Sequence, residues 1–384
     1  MTTPADASRV PSRTRRPPQT GRALRNLGER LFRPDRLVQA GRTPYEVFHD
    51  DGLVRLRHYH PLTEDHIVLD GLAVPVKPVR HRVPLVIVPP LAVNMFIYDL
   101  FPERSMVKYL LAQGYDVYLI DWGVPRRRHA HFNLHTYTAE LMPDLLARIR
   151  AHSGSQDLSL HGWSMGGICV LCYTALNKDP HIRNLIVLGS PINSHASGNL
   201  GKMYQFMHRR AEWVRKNTGF RIHNMNPQWL HTPGWMNTVG FKLMDPVSNL
   251  RGYWELLTKL ADREFLSNHT TTAAFLDGMV AYPGGIVQDM SVRIWIDNEL
   301  AKGYMTIGDK EMRLSDIRCA MQVYAGKTDN MVTPAAVETL LDYVSSTDKE
   351  FHVVPGGHLG LVHSSKAPAH IWQRMAEWLA ERSD

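Results

Sequence analysis

A serine lies between two glycines in Gly162-Trp163-Ser164-Met165-Gly166, directly after one apolar run and directly before another. The pattern Gly-x-Ser-x-Gly presents a nucleophilic hydroxyl on a sharp turn when a strand precedes it and a helix follows it. Asp157 to His161 alternates apolar and polar residues, which predicts a half-exposed strand. After Gly166, apolar residues recur at helical spacing. The sequence therefore predicts a reactive serine on a strand-to-helix turn.

A serine hydroxyl becomes a good nucleophile when a base takes its proton and an acid orients that base. Asp329 fits the role of the acid because it follows a predicted strand, Ala320 to Gly326. His358 fits the role of the base because it follows another, Glu350 to Pro355. Nearby histidines and aspartates do not lie at a strand end. We therefore predict that Ser164, Asp329 and His358 form a catalytic triad.

Attack on a carbonyl creates an oxyanion, which needs two preorganised N–H donors. The backbone N–H of Met165, the residue after the nucleophile, is predicted to be one of them. The second is expected from the loop after the predicted strand Pro84 to Pro90. Both prolines at the end of this strand lack an N–H, so Leu91 or Ala92 must supply the donor. The sequence does not decide which of these two residues is the second donor.

Strand-like and helix-like stretches alternate along most of the chain. A helix is predicted at Met106 to Ala112 and a closing helix from about Pro368 to Ala380. Alternation of this kind predicts a mostly parallel sheet with helices on both faces. With the chain order serine, aspartate, histidine, it predicts an α/β-hydrolase fold. The six predicted strands occupy Pro84 to Pro90, Asp116 to Asp121, Asp157 to Trp163, Asn184 to Ser190, Ala320 to Gly326 and Glu350 to Gly356.

One long interval, 194–318, interrupts this alternation and is rich in Trp, Met, Asn and Gly. Because it is too long for a loop, we predict a large, mainly helical cap inserted over the site of Ser164. The core is then 41–193 together with 319–384. Residues 1–40 hold nine arginines against three acidic residues, which accounts for six of the seven net positive charges. This segment is predicted to be a basic, partly disordered extension without a specific nucleic-acid partner.

The composition, 44% hydrophobic and 21% charged, is typical of a soluble globular protein. The chain has no apolar run long enough for a membrane span and no secretory signal, and its three cysteines suit a reducing compartment, so we expect it in the cytoplasm. Cys169 and Cys172 have C-x-x-C spacing, but no second pair accompanies them, which favours core packing over a zinc site. Neither a metal nor a cofactor is expected.

Several segments together resemble the polyhydroxyalkanoate synthases, and the similarity is closest to short catalytic subunits of the two-component kind. "HGWSMGG" resembles the lipase-like box of that family, "GKTDNMV" its acid loop and "VPGGHLGLVHSSKA" its histidine loop. "DNEL", shortly after Trp295, is similar to part of its cap. The resemblance implies catalytic roles for Ser164, Asp329 and His358. The synthases that this chain resembles use a cysteine as nucleophile in this box, whereas this chain has Ser164 there.

The resemblance implies a hydroxyacyl-coenzyme A donor, a hydroxyacyl acceptor, and either a second synthase-type subunit or a homodimer at a granule surface. A cysteine attacks thioesters easily because it ionises appreciably near neutral pH, whereas a serine in its place suits ester chemistry better. Three functions therefore stay open. They are acyl transfer through an acyl-serine intermediate, hydrolysis of an ester, thioester or polyester, and a non-catalytic binding subunit of a granule or acyl complex.

Overall fold

The computed structural model describes residues 19–244, 252 and 254–384. Its centre is an eight-stranded sheet. No described helix is long and apolar enough to cross a membrane. The strands of this sheet are β1 (Tyr45–Asp50), β2 (Arg55–Tyr59), β5 (Leu85–Val88), β6 (Val117–Asp121), β7 (Leu158–Trp163), β8 (Ile182–Leu188), β11 (Ala320–Gly326) and β12 (Lys349–Val354). They lie side by side in the order β1-β2-β6-β5-β7-β8-β11-β12.

Neighbouring strands from β6 to β12 run parallel, whereas β1 and β2 form an antiparallel edge. The expected α/β-hydrolase fold with a mostly parallel sheet is therefore confirmed, and all six predicted strands are present. β1 and β2 were not among them, because charged and histidine residues interrupt their apolar pattern. Two small antiparallel pairs lie outside this sheet, one of β3 (His66–Leu69) with β4 (Leu72–Pro75) and one of β9 (Tyr304–Ile307) with β10 (Lys310–Arg313).

Helices cover both faces of the sheet, so its central strands are buried on both sides. Along β5, Val86 and Val88 belong to one hydrophobic cluster with the helices at 142–153 and 165–177, while Leu85 and Ile87 belong to another with the helices at 106–112 and 373–380. The helices are α1 (Gln19–Phe32), α2 (Met106–Ala112), α3 (Met142–Ser153), α4 (Met165–Asn177), α5 (Gly198–Thr218), α6 (Pro227–Leu230), α7 (Gly234–Met244), α8 (Arg263–Asp277), α9 (Gly284–Asp289), α10 (Pro334–Glu338), α11 (Leu340–Tyr343), α12 (Gly360–His363) and α13 (Gln373–Ala380).

The prediction of a half-exposed strand before the serine was wrong, because β7 is buried along its whole length. Its polar residues are accommodated inside the protein. The Ser159 hydroxyl accepts a hydrogen bond from the Asn184 side chain at 2.9 Å. Burial lowers the pKa of His161 to about 4, so this imidazole is neutral near pH 7. Alternating polarity in the sequence therefore does not mark a solvent-facing side here.

The interval 194–318 is mainly helical in its described part, but it ends in the β9–β10 hairpin, which the sequence did not predict. Met305, Ile307 and Met312 of this hairpin are buried in the same hydrophobic cluster as α4. The last residues of the interval thus pack with the helical layer beside the sheet. Of the predicted disordered extension, residues 1–18 lie outside the described part, whereas α1 begins at Gln19.

A histidine on the edge of the sheet joins two carboxylates. His58 on β2 contacts Asp116 at 2.8 Å through Nε2 and Glu46, opposite it on β1, at 3.2 Å through Nδ1. The Asp116 carboxylate raises the pKa of His58, against the opposing effect of partial burial. Tyr118 stacks on the imidazole, and the His152 ring lies 5.0 Å from it. The imidazole therefore links β1, β2 and the residue before β6, and its two carboxylate partners favour its charged form.

This arrangement predicts a pH-dependent contribution to stability. Because the pKa of His58 is raised in the folded state, its contribution is complete below the unfolded pKa of about 6.5 and is lost as pH rises through the folded pKa. We expect His58→Gln to lower the free energy of unfolding by about 1 kcal/mol more at pH 6 than at pH 9. Urea denaturation at both pH values measures this difference. An equal loss at the two pH values would contradict the ion-pair account.

Candidate active site

Ser164 lies in the tight turn between β7 and α4, with φ 54° and ψ −122°. A positive φ is strained for a residue with a side chain and is typical of functional turns. The neighbouring glycines make the turn possible. A Cβ on Gly162 would lie 2.5 Å from the carbonyl oxygen of Gly166, and a Cβ on Gly166 would lie 2.0 Å from that of Val88. The turn therefore requires the glycines of the Gly-x-Ser-x-Gly pattern.

The structure brings Ser164, Asp329 and His358 together, although 194 residues separate the serine from the histidine. The Nε2 atom of His358 lies 2.9 Å from Ser164 Oγ, and its Nδ1 atom lies 2.7 Å from Asp329 Oδ2. The imidazole thus sits between a hydroxyl and a carboxylate, with one nitrogen toward each. This geometry allows the carboxylate to fix the tautomer and the free nitrogen to take a proton from the hydroxyl.

Asp329 is held by its own loop. Its Oδ1 atom accepts backbone N–H bonds from Met331 and Val332, each at 2.9 Å, which leaves Oδ2 for His358. The Asp329 side chain is fully buried and that of His358 is 9% exposed. The Trp163 ring lies 5.3 Å from the imidazole and packs beside it. Both ends of the Asp329–His358 pair are therefore fixed before any substrate binds.

The predicted oxyanion donors lie at the carboxyl ends of β5 and β7. In the part of the chain that the structure describes, the backbone N–H groups of Met165, Leu91 and Ala92 have no protein acceptor. Met165 is also the first residue of α4, where the positive end of the helix dipole favours negative charge. The carbonyl of Ala92 accepts a hydrogen bond from Val280 N at 2.8 Å, which ties this loop to the inserted segment. Both Leu91 and Ala92 stay candidates for the second donor.

A cavity of about 340 Å³ opens onto Ser164 and His358. Its wall is mostly apolar and comes from both the core and the inserted segment. The ring of Tyr204 on α5 stacks on that of Trp295 with 5.8 Å between the ring centroids, and both residues line this cavity. Such a cavity suits an acyl chain bound to Ser164. Its other lining residues are Pro90, Val93, Trp163, Met165, Pro191, Ser194, Ser197, Leu200, Met236, Asn237, Gly240, Tyr282, Met290, Met331 and Val332.

Sequence reasoning did not identify the residues that fix the inserted segment to the core. Asn298, within "DNEL", has φ 50° and ψ 47°. Its side chain donates to Asn193 Oδ1 at 2.8 Å and accepts from the backbone N–H of Ser194 at 2.8 Å. The preceding Asp297 pairs with Arg215 of α5 at 2.7 Å. The resemblance of "DNEL" to a cap segment was the one sequence feature that pointed to these contacts between the inserted segment and the core.

The cysteines lie apart from this chemistry. Cys169 and Cys172 are fully buried on α4, and burial raises the pKa of Cys169 to about 12. Neither lines the cavity at Ser164. Because a thiol with so high a pKa is scarcely ionised near neutral pH, these residues are poor nucleophiles. The structure agrees with the prediction that they pack in the core.

Two of the curated relatives of this chain are poly(3-hydroxyalkanoate) polymerase subunits. The chain is 28% identical over 351 residues to the poly(3-hydroxyalkanoate) polymerase subunit PhaC of Haloferax mediterranei, covering 90% of this chain and 66% of that protein. It is 27% identical over 349 residues to the poly(3-hydroxyalkanoate) polymerase subunit PhaC of Allochromatium vinosum, covering 90% of each. The chain thus spans about two thirds of the first relative and most of the second.

Comparison with solved structures supports the architecture. A soluble variant of monoglyceride lipase from Saccharomyces cerevisiae, in complex with a substrate analog, aligns with a TM-score of 0.53 and 15% identity, covering 90% of this chain and 97% of that one. At this identity the likeness shows the fold alone. The sequence profile of the alpha/beta hydrolase fold family matches residues 84–363, well over half of the chain. The sheet, the serine turn and this match agree, and the chain therefore belongs to the alpha/beta hydrolase fold family.

Proposed function

We propose that this protein is an acyl-transfer enzyme similar to polyhydroxyalkanoate synthase, which works through an acyl-Ser164 intermediate on hydroxyacyl thioesters or esters. The observation that carries the proposal is the contact chain from Ser164 Oγ through His358 to Asp329, with distances of 2.9 and 2.7 Å. The relatives named as polymerase subunits, which match over about 90% of the chain, support the substrate class. In this proposal Ser164 takes the place of the cysteine nucleophile of the synthases.

In the first step, His358 Nε2 takes the proton of Ser164 while Oγ attacks the carbonyl carbon of the hydroxyacyl thioester. The carbonyl oxygen gains negative charge, which the N–H of Met165 and that of Leu91 or Ala92 stabilise. When the oxyanion collapses, the bond from carbon to sulfur breaks and the thiolate takes the proton from His358. The products are an oxygen ester on Ser164 and a free thiol. The neutral imidazole is then ready for the second step.

In the second step, His358 deprotonates a hydroxyl group that attacks the ester carbonyl of the acyl-serine. The bond from that carbon to Ser164 Oγ breaks, and Oγ recovers the proton. If the attacking hydroxyl belongs to a second hydroxyacyl chain, the product is a longer ester. If it belongs to water, the product is a free hydroxy acid. The apolar cavity at Ser164 supports chain transfer, because it favours an acyl chain over water.

One specific observation favours hydrolysis as a second candidate function, namely the serine itself. An acyl-serine is an oxygen ester and is less reactive than a thioester, so it acylates the hydroxyl of a second chain more slowly than an acyl-cysteine would. Water can resolve the same ester without a bound second chain. The pre-oriented acid and base argue against a non-catalytic binding subunit, since binding alone requires no Asp329–His358–Ser164 alignment.

The partner of this chain is also part of the proposal. Both relatives described above are named as polymerase subunits. We therefore propose that full transfer activity requires a second synthase-type subunit or a homodimer at a granule surface. The substrate is hydroxyacyl-coenzyme A or an acyl ester. Neither proposed step uses a metal or a cofactor. Transfer and hydrolysis are then two fates of one acyl-enzyme.

Supplying 3-hydroxybutyryl-coenzyme A and measuring thiol release, free acid and polymer tests the proposal. We expect the purified protein alone to release thiol slowly with free acid as the main product, because water resolves an oxygen ester without a partner. Ser164→Cys should shift the products toward polymer, since a thioester intermediate acylates the hydroxyl of a second chain more readily than an oxygen ester does. Abundant polymer from the unmodified protein alone would contradict the effect assigned to serine. Absence of thiol release would favour the binding-subunit function.

A further inference from the structure

The helix α1 turns its apolar side outward. Leu24, Leu31 and Phe32 are exposed by 67%, 64% and 83%. Leu31 and Phe32 follow Leu24 by seven and eight residues, so the three lie on one side of a helix with 3.6 residues per turn. A surface helix normally buries such a stripe against the core and exposes its polar side. Here the stripe is on the opposite side from the body of the protein.

The inward side of α1 is attached through polar contacts. Asn26 is buried and donates from Nδ2 to the carbonyl of Leu260 at 2.8 Å. Arg30 donates to Thr270 Oγ1 on α8 at 2.9 Å. Glu29 pairs with Arg263, at the start of α8, at 2.5 Å. These contacts orient the helix, so the exposed stripe is a fixed feature of the surface.

Positive charge lies beside the stripe and at the two ends of α1. Arg25 lies next to Phe32 around the helix, and Arg22, Arg33 and Arg36 are exposed at or just beyond the helix ends. Four more arginines precede the helix in the sequence. A helix with aliphatic and aromatic side chains on one side and arginines beside them has the composition of segments that lie in the interface of an anionic lipid layer.

A second pair of exposed apolar residues lies close to α1. Residues 254–258 are helical, and Leu256 among them packs with Leu37, just after α1, and with Leu266. From the same helical stretch, Trp254 and Leu257 are exposed by 69% and 66%. Tryptophan is enriched at the headgroup level of membranes, where its ring meets both apolar and polar surroundings. A segment that packs near α1 therefore also carries exposed apolar side chains.

We propose that α1 is a docking face for an anionic phospholipid surface, with Leu24, Leu31 and Phe32 inserted among the acyl chains and the arginines at the headgroups. The charge argues against a second copy of this chain as the occupant, because two such arginine-rich faces repel each other. Nucleic acid would meet the arginines but would leave the apolar stripe in water. A lipid surface satisfies both features. This inference does not depend on the chemistry at Ser164.

Flotation of the full chain with vesicles tests the proposal. We expect binding to vesicles of phosphatidylglycerol and phosphatidylcholine, weaker binding to phosphatidylcholine alone, and loss of binding as salt rises. The double variant Leu31→Asp/Phe32→Asp should bind anionic vesicles at least about tenfold more weakly, since it removes apolar insertion and adds like charge. Arg22→Gln/Arg33→Gln should reduce both the affinity and its salt dependence.

The control is Leu72→Asp/Val124→Asp, which changes two residues of similar exposure, 72% and 64%, on the β3–β4 hairpin and the loop after β6. It should bind vesicles as the unmodified protein does, and thermal unfolding should show that all variants fold. Equal binding by the Leu31→Asp/Phe32→Asp variant, or no binding to anionic vesicles by any form, would overturn the proposal. The proposal would also be wrong if the full chain bound no vesicles and instead formed a dimer in solution, or a complex with duplex DNA, that Leu31→Asp/Phe32→Asp abolishes and the control variant does not.

Discussion

Ser164→Ala lowers kcat for hydroxyacyl thioesters by about 10⁴-fold or more, which is the largest effect we expect from any single substitution. The reason is that Ser164 Oγ is the only nucleophile in contact with His358 Nε2 among the described residues. Without it, turnover relies on water and the remaining oxyanion donors. Steady-state thiol release from 3-hydroxybutyryl-coenzyme A measures the change, and fluorophosphonate labelling should disappear in parallel.

Ser346→Ala is the matched control for this substitution. Ser346 is also a buried serine, but its hydroxyl donates to the carbonyl of Asp348, away from the cavity. We expect its turnover to stay within about twofold of the unmodified protein, as for a change outside the site. If Ser164→Ala retained full turnover while remaining folded, the acyl-serine mechanism would be wrong.

Asp329→Asn is expected to lower kcat by about 10³- to 10⁴-fold with little change in KM. The amide is isosteric and its oxygen can still accept from the backbone N–H groups of Met331 and Val332. The NH₂ group then faces His358 Nδ1, so that nitrogen must accept and Nε2 must carry the proton. An Nε2–H cannot take the proton of Ser164. The loss therefore arises from the wrong tautomer and not from a displaced loop.

Asp342→Asn supplies the comparison for this effect, because Asp342 is an exposed carboxylate in the same part of the sequence. Its turnover should be unchanged. The kcat of Asp329→Asn should also rise with pH more steeply than that of the unmodified protein, since hydroxide can replace the lost base. Equal kcat values for Asp329→Asn and the unmodified protein would remove Asp329 from the mechanism.

The local elements of this fold could be predicted because each has its own sequence pattern. α2 occupies Met106–Ala112 as predicted, and β7 and α4 flank Ser164 as the Gly-x-Ser-x-Gly context requires. The positions of Asp329 and His358 followed from strand ends, since parallel strands present their carboxyl ends at one edge of the sheet. The sequence therefore predicted which three residues the structure brings within hydrogen-bonding distance.

Features that depend on distant packing could not be predicted in this way. The polar residues of β7 suggested an exposed face, yet helices on both sides bury Ser159 and His161. The strands of the β9–β10 hairpin have only four residues each, too short a pattern to stand out from the helical surroundings. The direction in which α1 faces depends on polar contacts of Asn26 with a segment more than 200 residues away. Periodicity defines a helix face but not the partner of that face.

Mass spectrometry of the acyl-enzyme tests the central claim most directly. The unmodified protein would be mixed with 3-hydroxybutyryl-coenzyme A, quenched in acid, digested and mapped. We predict one hydroxybutyryl group on the peptide that contains Ser164, and we expect this oxygen ester to survive neutral hydroxylamine, which cleaves thioesters. A hydroxylamine-sensitive adduct on Cys169, Cys172 or Cys319, or thiol release with no adduct on Ser164 at any quench time, would contradict the account.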